Sequence, residues 1–399
     1  MCSMIWSTSD PSVAPAMESL FYALGYRRTS DRPAHPKAPP PVSFALPYPG
    51  TGMSRDQPMR RRMTTIQDIA AELGLSAMTV SRALNGHPDV KDETRARVEE
   101  RARELNYRPN RFARGLVSRQ SKLIGVVIPE ISHTFFSEIT GGIQEAIEPD
   151  GYTLILCNSA GSPERERREV DMLVGGRVDG LIAASTFPQD DPELYAGLAE
   201  EGVPFVLIDR YFPALESARV HGDDDATIRL CVEHLANLGH RDIGFIRGPD
   251  VSTSSLRLAG FRESLRALGL RENPDWIVPG GFTVDAGREA GLQLLQRPSR
   301  PTAICAVNDP CALGLAQSAR RLGLKVPQDL SITGVGKIEP DYLPEQYLTT
   351  TEWSRAEIGA TAGRTLLAMI GGGSPADLPD VMLSPKLVIG RSTGPPPSR

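Results

Sequence analysis

From residue 123 onward, short unbroken apolar runs alternate with stretches of helical period, and this rhythm constrains the fold more than any other feature of the chain. The runs at 123–128, 153–156, 180–183, 205–208, 243–246, 303–307 and 331–335 are too short for helices. They read as strands buried on both faces. Between them, 136–147, 164–174, 226–238 and 255–268 carry helical spacing. Strand–helix alternation of this kind builds doubly wound parallel sheets. The stretch is longer than one such sheet uses, so it predicts two α/β subdomains with a cleft between them.

Residues 1–62 do not share the rhythm. They hold ten prolines, including Pro39-Pro40-Pro41, and no sustained period. Proline removes backbone donors and little is left to bury, so the stretch reads as disordered, or as residues upstream of a true start at Met53, Met59 or Met63. It lacks the basic n-region and apolar h-region of a signal peptide. No run in the chain approaches the roughly 18–20 apolar residues of a membrane span. The five cysteines (Cys2, Cys157, Cys231, Cys305, Cys311) are scattered and free of CxxC spacing. They fit thiols in a reducing cytoplasm, with no structural zinc, no other metal and no cofactor expected.

Charge is unevenly spread. Residues 60–122 carry 14 Lys and Arg against 8 Asp and Glu, while 123–399 carry 25 against 37. A short basic block on a long acidic body suggests a nucleic-acid module joined to a module with another task. Within the block, Thr65-Ile66-Gln67-Asp68 has the form of a capping box. Ile66, Ile69, Ala70 and Leu73 then share one helical face, and Gly74 ends the helix. Ser76 is a second N-cap, before a helix with Val80, Ala83 and Leu84 inward and Asn85-Gly86 at its end. A third helix, about 92–105, turns Val98, Ala102 and Leu105 inward. The three predict a helix-turn-helix unit.

The second helix of such a unit enters the major groove by its N-terminal residues. Here these are Ala77, Met78, Thr79, Ser81 and Arg82. Arg82 can fork onto guanine O6 and N7, the hydroxyls of Ser76 and Ser81 suit phosphates, and Ala77 or Met78 can touch a thymine methyl. Pro109 then stands at the first position of a short helix, with Arg111 and Arg114 basic. Leu116 closes that polar stretch, as a linker residue packing on its neighbour or as a wedge between base pairs.

These motifs together resemble the lactose/galactose repressor family. The resemblance rests on Thr65 through Ala70, Leu75-Ser76-x-x-Thr79-Val80-Ser81-Arg82-x-Leu84-Asn85, Tyr107-x-Pro109-Asn110-x-x-Ala113-Arg114-x-Leu116 and Ile124 through Pro129. It continues in Arg177-Val178-Asp179-Gly180, Leu238-Gly239-His240-Arg241-x-Ile243, Arg257-x-x-Gly260-Phe261 and Gly390-Arg391-Ser392. It implies a helix-turn-helix headpiece at 63–108, a hinge helix and linker at 109–122, an effector-binding and dimerisation region at 123–394 and a tail at 395–399. The core would be periplasmic-binding-protein-like, its subdomains near 123–222 with 353–382 and 223–352 with 383–394. A homodimer would bind a palindromic double-stranded operator, with DNA contacts from Ser76, Ala77, Met78, Thr79, Ser81, Arg82, Asn85, Tyr107, Asn110, Ala113, Arg114 and Leu116. Val117 stands where some members have a basic residue.

The resemblance also implies a small sugar-like effector in the cleft. Sites for sugars combine carboxylates and arginine with aromatic faces. By position the candidates are Phe135, Phe136, Asp209, Arg257, Phe282 and Asp309. Two stretches depart from the family. Gly334-Val335-Gly336-Lys337-Ile338 replaces a common Gly-Phe/Tyr-Asp, and Gly222-Asp223-Asp224-Asp225 replaces Val-Asp-Asn. The acidic run reads as a solvated crossover loop rather than a cation site.

Two rival classes compete. An enzyme would need a nucleotide or nucleophile motif. Gly334-x-Gly336 lacks the third glycine of a dinucleotide fingerprint, position 339 being Glu, and there is no Walker A or GxSxG sequence. A transport-type binding protein would have no use for residues 65–116.

Overall fold

The computed structural model describes residues 64–107, 120–132, 134–338, 346–375 and 380–398. The chain divides into two compact units, one up to Arg108 and one from Pro109.

The first unit is a three-helix cluster. Helix α1 (Ile66–Leu73) starts at a Thr65–Asp68 capping box and stops at Gly74, whose φ of 66° is left-handed. Helix α2 (Ala77–Leu84) starts at Ser76, whose hydroxyl accepts the Thr79 N–H at 3.0 Å. Each such cap contributes about 1 kcal/mol by satisfying an orphan donor. Helix α3 (Asp92–Glu104) closes the cluster. Ile69, Val80 and Val98 are fully buried at its centre, with Ala70, Ala83, Val90 and Ala102 around them. Leu84 and Leu105, expected inward, pack at the rim and are only partly buried.

The second unit holds two parallel sheets. In the first the order is β11-β5-β4-β3-β1-β2, from β1 (Leu123–Ile128), β2 (Thr153–Asn158), β3 (Gly180–Ala183), β4 (Phe205–Ile208), β5 (Ala218–Gly222) and β11 (Val381–Leu383). The second runs β7-β6-β8-β9, from β6 (Ile243–Arg247), β7 (Ile277–Pro279), β8 (Ala303–Ala306) and β9 (Ser331–Thr333). A small antiparallel pair, β10 (Thr350–Glu352) with β12 (Lys386–Val388), lies where the chain passes between subdomains. Successive strand residues feed opposite layers. Val206 and Ile208 join one cluster, while Phe205 and Leu207 join the other. That two-sided burial is why the strands read as unbroken apolar runs.

Helices α4 (Thr134–Ile147), α5 (Pro163–Gly175), α6 (Glu193–Glu200) and α11 (Arg355–Ile370) cover the first sheet. Helices α7 (Asp224–Asn237), α8 (Ser252–Ala267), α9 (Val284–Leu295) and α10 (Asp309–Arg321) cover the second. Each subdomain contains a helix pair whose backbones are drawn together through glycine. On α4 and α11, a Cβ at Gly142 would lie 2.2 Å from the Ala356 carbonyl oxygen, and one at Gly359 would lie 2.0 Å from that of Ile139. On α9 and α10, Gly287 and Gly314 meet Cys311 and Val284 equally closely. No helix among the described residues is long and apolar enough to cross a membrane.

These seams yield a matched test. Gly359→Ala must push α11 off α4 and should lower stability by about 1–3 kcal/mol, the usual cost of overpacking. Gly141→Ala, on the same α4 but with nothing within 4 Å of the new Cβ, should be neutral or stabilising by up to about 1 kcal/mol. Thermal unfolding of the two variants checks the contrast. Equal midpoints would remove the seam's role.

Candidate functional site

The exposed side of α2 is the first candidate. Ser76, Ala77, Met78, Arg82 and Asn85 are exposed, Met78 to 65 %, while Val80 and Ala83 anchor the opposite side. The Arg82 carbonyl accepts from the His87 N–H at 3.0 Å, while its exposed side chain makes no hydrogen bond or ion pair with another described residue, so its fork is open to a partner. Thr79 and Ser81 are half-buried. The Ser76 hydroxyl is committed to the helix cap and to the Thr79 hydroxyl at 2.8 Å, and Asn85 Nδ2 donates to Ser81 at 3.5 Å. Tyr107 packs at the edge of the three-helix core, its N–H donating to the Ala102 carbonyl at 2.8 Å. Asn110, Ala113, Arg114 and Leu116, with the hinge at 109–117, lie outside the described residues, as does the extension at 1–62.

The second candidate is a cavity of about 520 Å³ between the two α/β subdomains. Its walls come from segments just past strand carboxyl ends: Pro129 after β1, Asn158 ending β2, Thr186 after β3, Asp209 after β4, Pro249 after β6, Asn308 after β8 and Val335 after β9. Open parallel sheets gather ligands there because helix N-termini and loop backbones converge on it. The subdomains also touch beside the cavity. Gln189 Nε2 donates to Asp250 Oδ1 at 3.2 Å and to Ser255 at 2.8 Å, and the Tyr211 N–H donates to Ser252 at 3.0 Å.

Five of the six residues singled out from sequence line this cavity: Phe135, Phe136, Asp209, Arg257 and Phe282. Phe135 meets Phe136 edge-on at 4.9 Å and Trp353 at 6.3 Å. Asp209 holds a φ of 60°, a left-handed backbone that costs free energy in a non-glycine residue. It brings both Asp209 and Arg210 to the wall. Arg257 is 5 % exposed and held from two sides. Its Nε donates to Asp224 Oδ1 and its Nη1 to the Val307 carbonyl, each at 2.7 Å.

Asp309 requires a correction. It does not line the cavity and is fully buried. Asn308 caps α10, its Oδ1 accepting the Cys311 N–H at 3.0 Å, which leaves Asp309 on the first turn. There its carboxylate accepts from the Thr350 hydroxyl at 2.6 Å and the Ile338 N–H at 2.9 Å. The carboxylate braces the cavity wall from behind. The acidic run is a second correction. Asp223 caps α7 and Asp224 is 3 % exposed beside Arg257, so the segment is not a solvated loop. Burial raises the Asp224 pKa to about 6, against the pull of the Arg257 guanidinium. Among the described residues no group of three His, Cys, Asp or Glu could hold a metal ion.

Sequence reasoning missed Arg210, Asn308 and Trp353. Arg210 stands 3.5 Å from Asp209, donates to the Ser185 carbonyl at 3.2 Å and lies 4.6 Å from the centre of the Phe282 ring, on the other subdomain. Burial lowers its pKa. The signal was present: it directly follows Asp209, at a strand end. Arg257 lies 5.9 Å from the Trp353 ring. Glu166 was also unmarked. Fully buried, it accepts from Ser185, from the Thr186 N–H and hydroxyl, and from Tyr195, all at 2.6–2.7 Å, and so holds the turn that carries Thr186.

Known proteins resemble the chain over most of its length. Residues 65–110 match the family model for bacterial regulatory proteins of the lacI family, and 232–393 match that for a periplasmic binding protein-like domain. The HTH-type transcriptional repressor CytR of Escherichia coli strain K12 is 36 % identical over 312 residues, covering 77 % of this chain and 90 % of that protein. A lac repressor dimer bound to operator and the anti-inducer ONPF superposes with a TM-score of 0.73 at 30 % identity, covering 84 % of this chain and all of that one. A complex of the transcriptional regulator CelR with cellobiose gives a TM-score of 0.63 at 28 % identity, covering 82 % and 99 %. The similarity spans both the helix-turn-helix and the α/β region, and the chain belongs to the lacI family of bacterial regulatory proteins.

Proposed function

We propose that the chain is a sequence-specific transcriptional regulator, a repressor, whose operator affinity is set by a small hydroxyl-rich effector in the cleft. The observation that carries this reading is the joint presence of an open recognition face on α2 and a built cavity lined by Asp209, Arg210, Arg257 and aromatic rings. Carboxylate and guanidinium groups bond hydroxyls, and rings cover the apolar face of a sugar. A transport protein would not need the first of these sites, and nothing in the second sets up a nucleophile and base. Work on an operator places the protein in the cytoplasm.

Arg82, Met78 and Ala77 read bases in this proposal. Two copies bind a palindrome, since one headpiece buries little surface and a dimer doubles its phosphate contacts. The effector bridges the subdomains, so its binding shifts the angle between them and is linked to operator affinity by about 1–3 kcal/mol.

Selection from random duplexes tests the first half. The full chain should enrich a palindrome, and its affinity should fall steeply with salt because phosphate contacts release counterions. Failure to enrich any sequence would remove the operator reading. On the selected site, Arg82→Ala should lose about 1–3 kcal/mol and relax specificity at one guanine per half-site. An equal loss on all sequences would make Arg82 a phosphate contact instead.

A second expectation concerns pH. The Asp224 pKa is about 6 in the folded protein against an ordinary 3.8. The folded state therefore binds this proton more tightly than the unfolded chain, and stability from this group declines as pH rises from about 4 to about 6. Function runs the other way. Below about 6 the carboxylate that holds Arg257 is neutralised, so effector affinity should weaken. Calorimetry across pH 5–8 with wild type and Asp224→Asn checks this, the variant being weak and flat. A wild-type affinity that is also flat would detach Asp224 from the site.

A further inference from the structure

The turn at 334–338, which replaces the family's usual Gly-Phe/Tyr-Asp, is held by both subdomains at once. It follows β9 of the second sheet, yet the Val335 side chain is buried in the core cluster of the first subdomain, with Phe136 and Trp353. Its N–H groups stay with the second subdomain. Those of Gly334 and Gly336 donate to the carbonyls of Thr349 and Thr351, and that of Ile338 to the Asp309 carboxylate, each at 2.9 Å. The last three carbonyls go the other way. Those of Gly336 and Lys337 accept from Arg355 Nη1 on α11, the second at 2.8 Å. That of Ile338 accepts from the Thr134 hydroxyl, at the start of α4, at 3.3 Å.

Arg355 is aligned for this contact from behind. Its side chain is 11 % exposed, and Glu138 of α4 takes its other two nitrogens: Nε donates to Oε2 at 2.8 Å and Nη2 to Oε1 at 3.0 Å. A two-pronged pair of this kind fixes the plane of the guanidinium, which keeps Nη1 on the two carbonyls. The turn meets it with a costly backbone. Gly336 has a φ of 114°, and Lys337, which is not glycine, a φ of 43°. Val335, Gly336 and Ile338 also stand in the cavity wall. The contacts of Gln189 with Asp250 and Ser255 join the same subdomains, but none of those three residues lines the cavity. The tie through Arg355 therefore ends on residues that a molecule in the cavity would touch.

We propose that Arg355 is a positioning residue for operator binding. It holds the wall turn of the second subdomain to the α4–α11 pair of the first, and so fixes the angle between subdomains at which two headpieces fit a palindrome. Arg355 itself lies outside both the helix-turn-helix unit and the cavity lining. A molecule against Gly336 and Ile338 presses on the tie, which carries the state of the cavity to α4 and α11. Without the tie the subdomains spread over more arrangements, and apparent operator affinity falls with the fraction that is competent. This inference rests on the subdomain angle being linked to operator affinity.

The test compares Arg355→Ala, Arg355→Lys and Glu138→Ala with wild type, in the full chain, on the duplex that the wild type selects and at one salt concentration. Arg355→Ala should lose operator affinity about tenfold or more, with the oligomeric state unchanged. Deuterium uptake by a peptide spanning 334–338 should rise in the same variant. Arg355→Lys keeps a donor for the carbonyls but not the fork, so it should fall between the two. Glu138→Ala, at a side chain 44 % exposed, should lose about threefold or more, and should add nothing in the Arg355→Ala background, since both changes break one unit. It decides the matter alone if Arg355→Ala does not fold. Operator affinity equal to wild type, even with a lowered thermal midpoint, would make Arg355 a brace of the core and overturn the inference. So would unchanged deuterium uptake, or an affinity that rises. A wild type that selects no duplex would overturn the regulator reading as well.

Discussion

The buried pair of Asp224 and Arg257 is the interaction on which the second unit turns. Asp224 opens α7 immediately after the chain crosses from the first sheet to the second. Arg257 lies on α8 and also donates to the carbonyl of Val307, just past β8. One guanidinium thereby ties the crossover to the second subdomain and keeps its remaining face on the cavity beside Trp353. Two charges taken out of water cost several kcal/mol each, and only close geometry with further hydrogen bonds offsets that. An apolar pair would stabilise such a core as well, but it would offer no donor to a ligand.

The rest of the cleft follows the same economy of positions. Asn308 caps α10 while its amide donates to the Phe282 carbonyl at 2.9 Å, fixing an aromatic wall through a helix start. Glu166, deep behind the wall, holds the turn whose Ser185 carbonyl receives Arg210. The glycine seams between α4 and α11 and between α9 and α10 set the helix starts that carry Phe135, Phe136 and Asn308 at the rim. Because these seams are backbone against backbone, the rim is positioned by parts that cannot slide independently.

Much of this was legible in the sequence. The seven apolar runs are strands, although Ser331–Thr333 stops two residues short of expectation and Thr153–Asn158 runs two beyond it. The caps at Thr65 and Ser76 were readable because a side-chain oxygen and a spacing of three suffice to specify them. The edge strands Ile277–Pro279 and Val381–Leu383 and the short Lys386–Val388 were not, since such positions carry mixed polarity, and neither was the interior strand Ala218–Gly222, whose run is broken by Arg219 and His221. At the site, single residues after strand ends were findable by position. Whether a carboxylate faces the cavity or props its wall was not. Asp209 directly follows β4, Asp309 opens the helix after β8, and contacts with Thr350 and Ile338 hold the second carboxylate behind the wall.

The path of the last strands carries a consequence for how the protein is made. Strand β11 completes the edge of the first sheet, β12 pairs with β10, and Ser392, fully buried, bonds Ile332 and Thr349 in the second subdomain. A ribosome that has emitted everything through residue 380 has therefore finished neither subdomain, however complete the helix-turn-helix unit is by then. The DNA-reading part of the chain is available long before the part that would govern it, and both subdomains close within the same short stretch, 381–392.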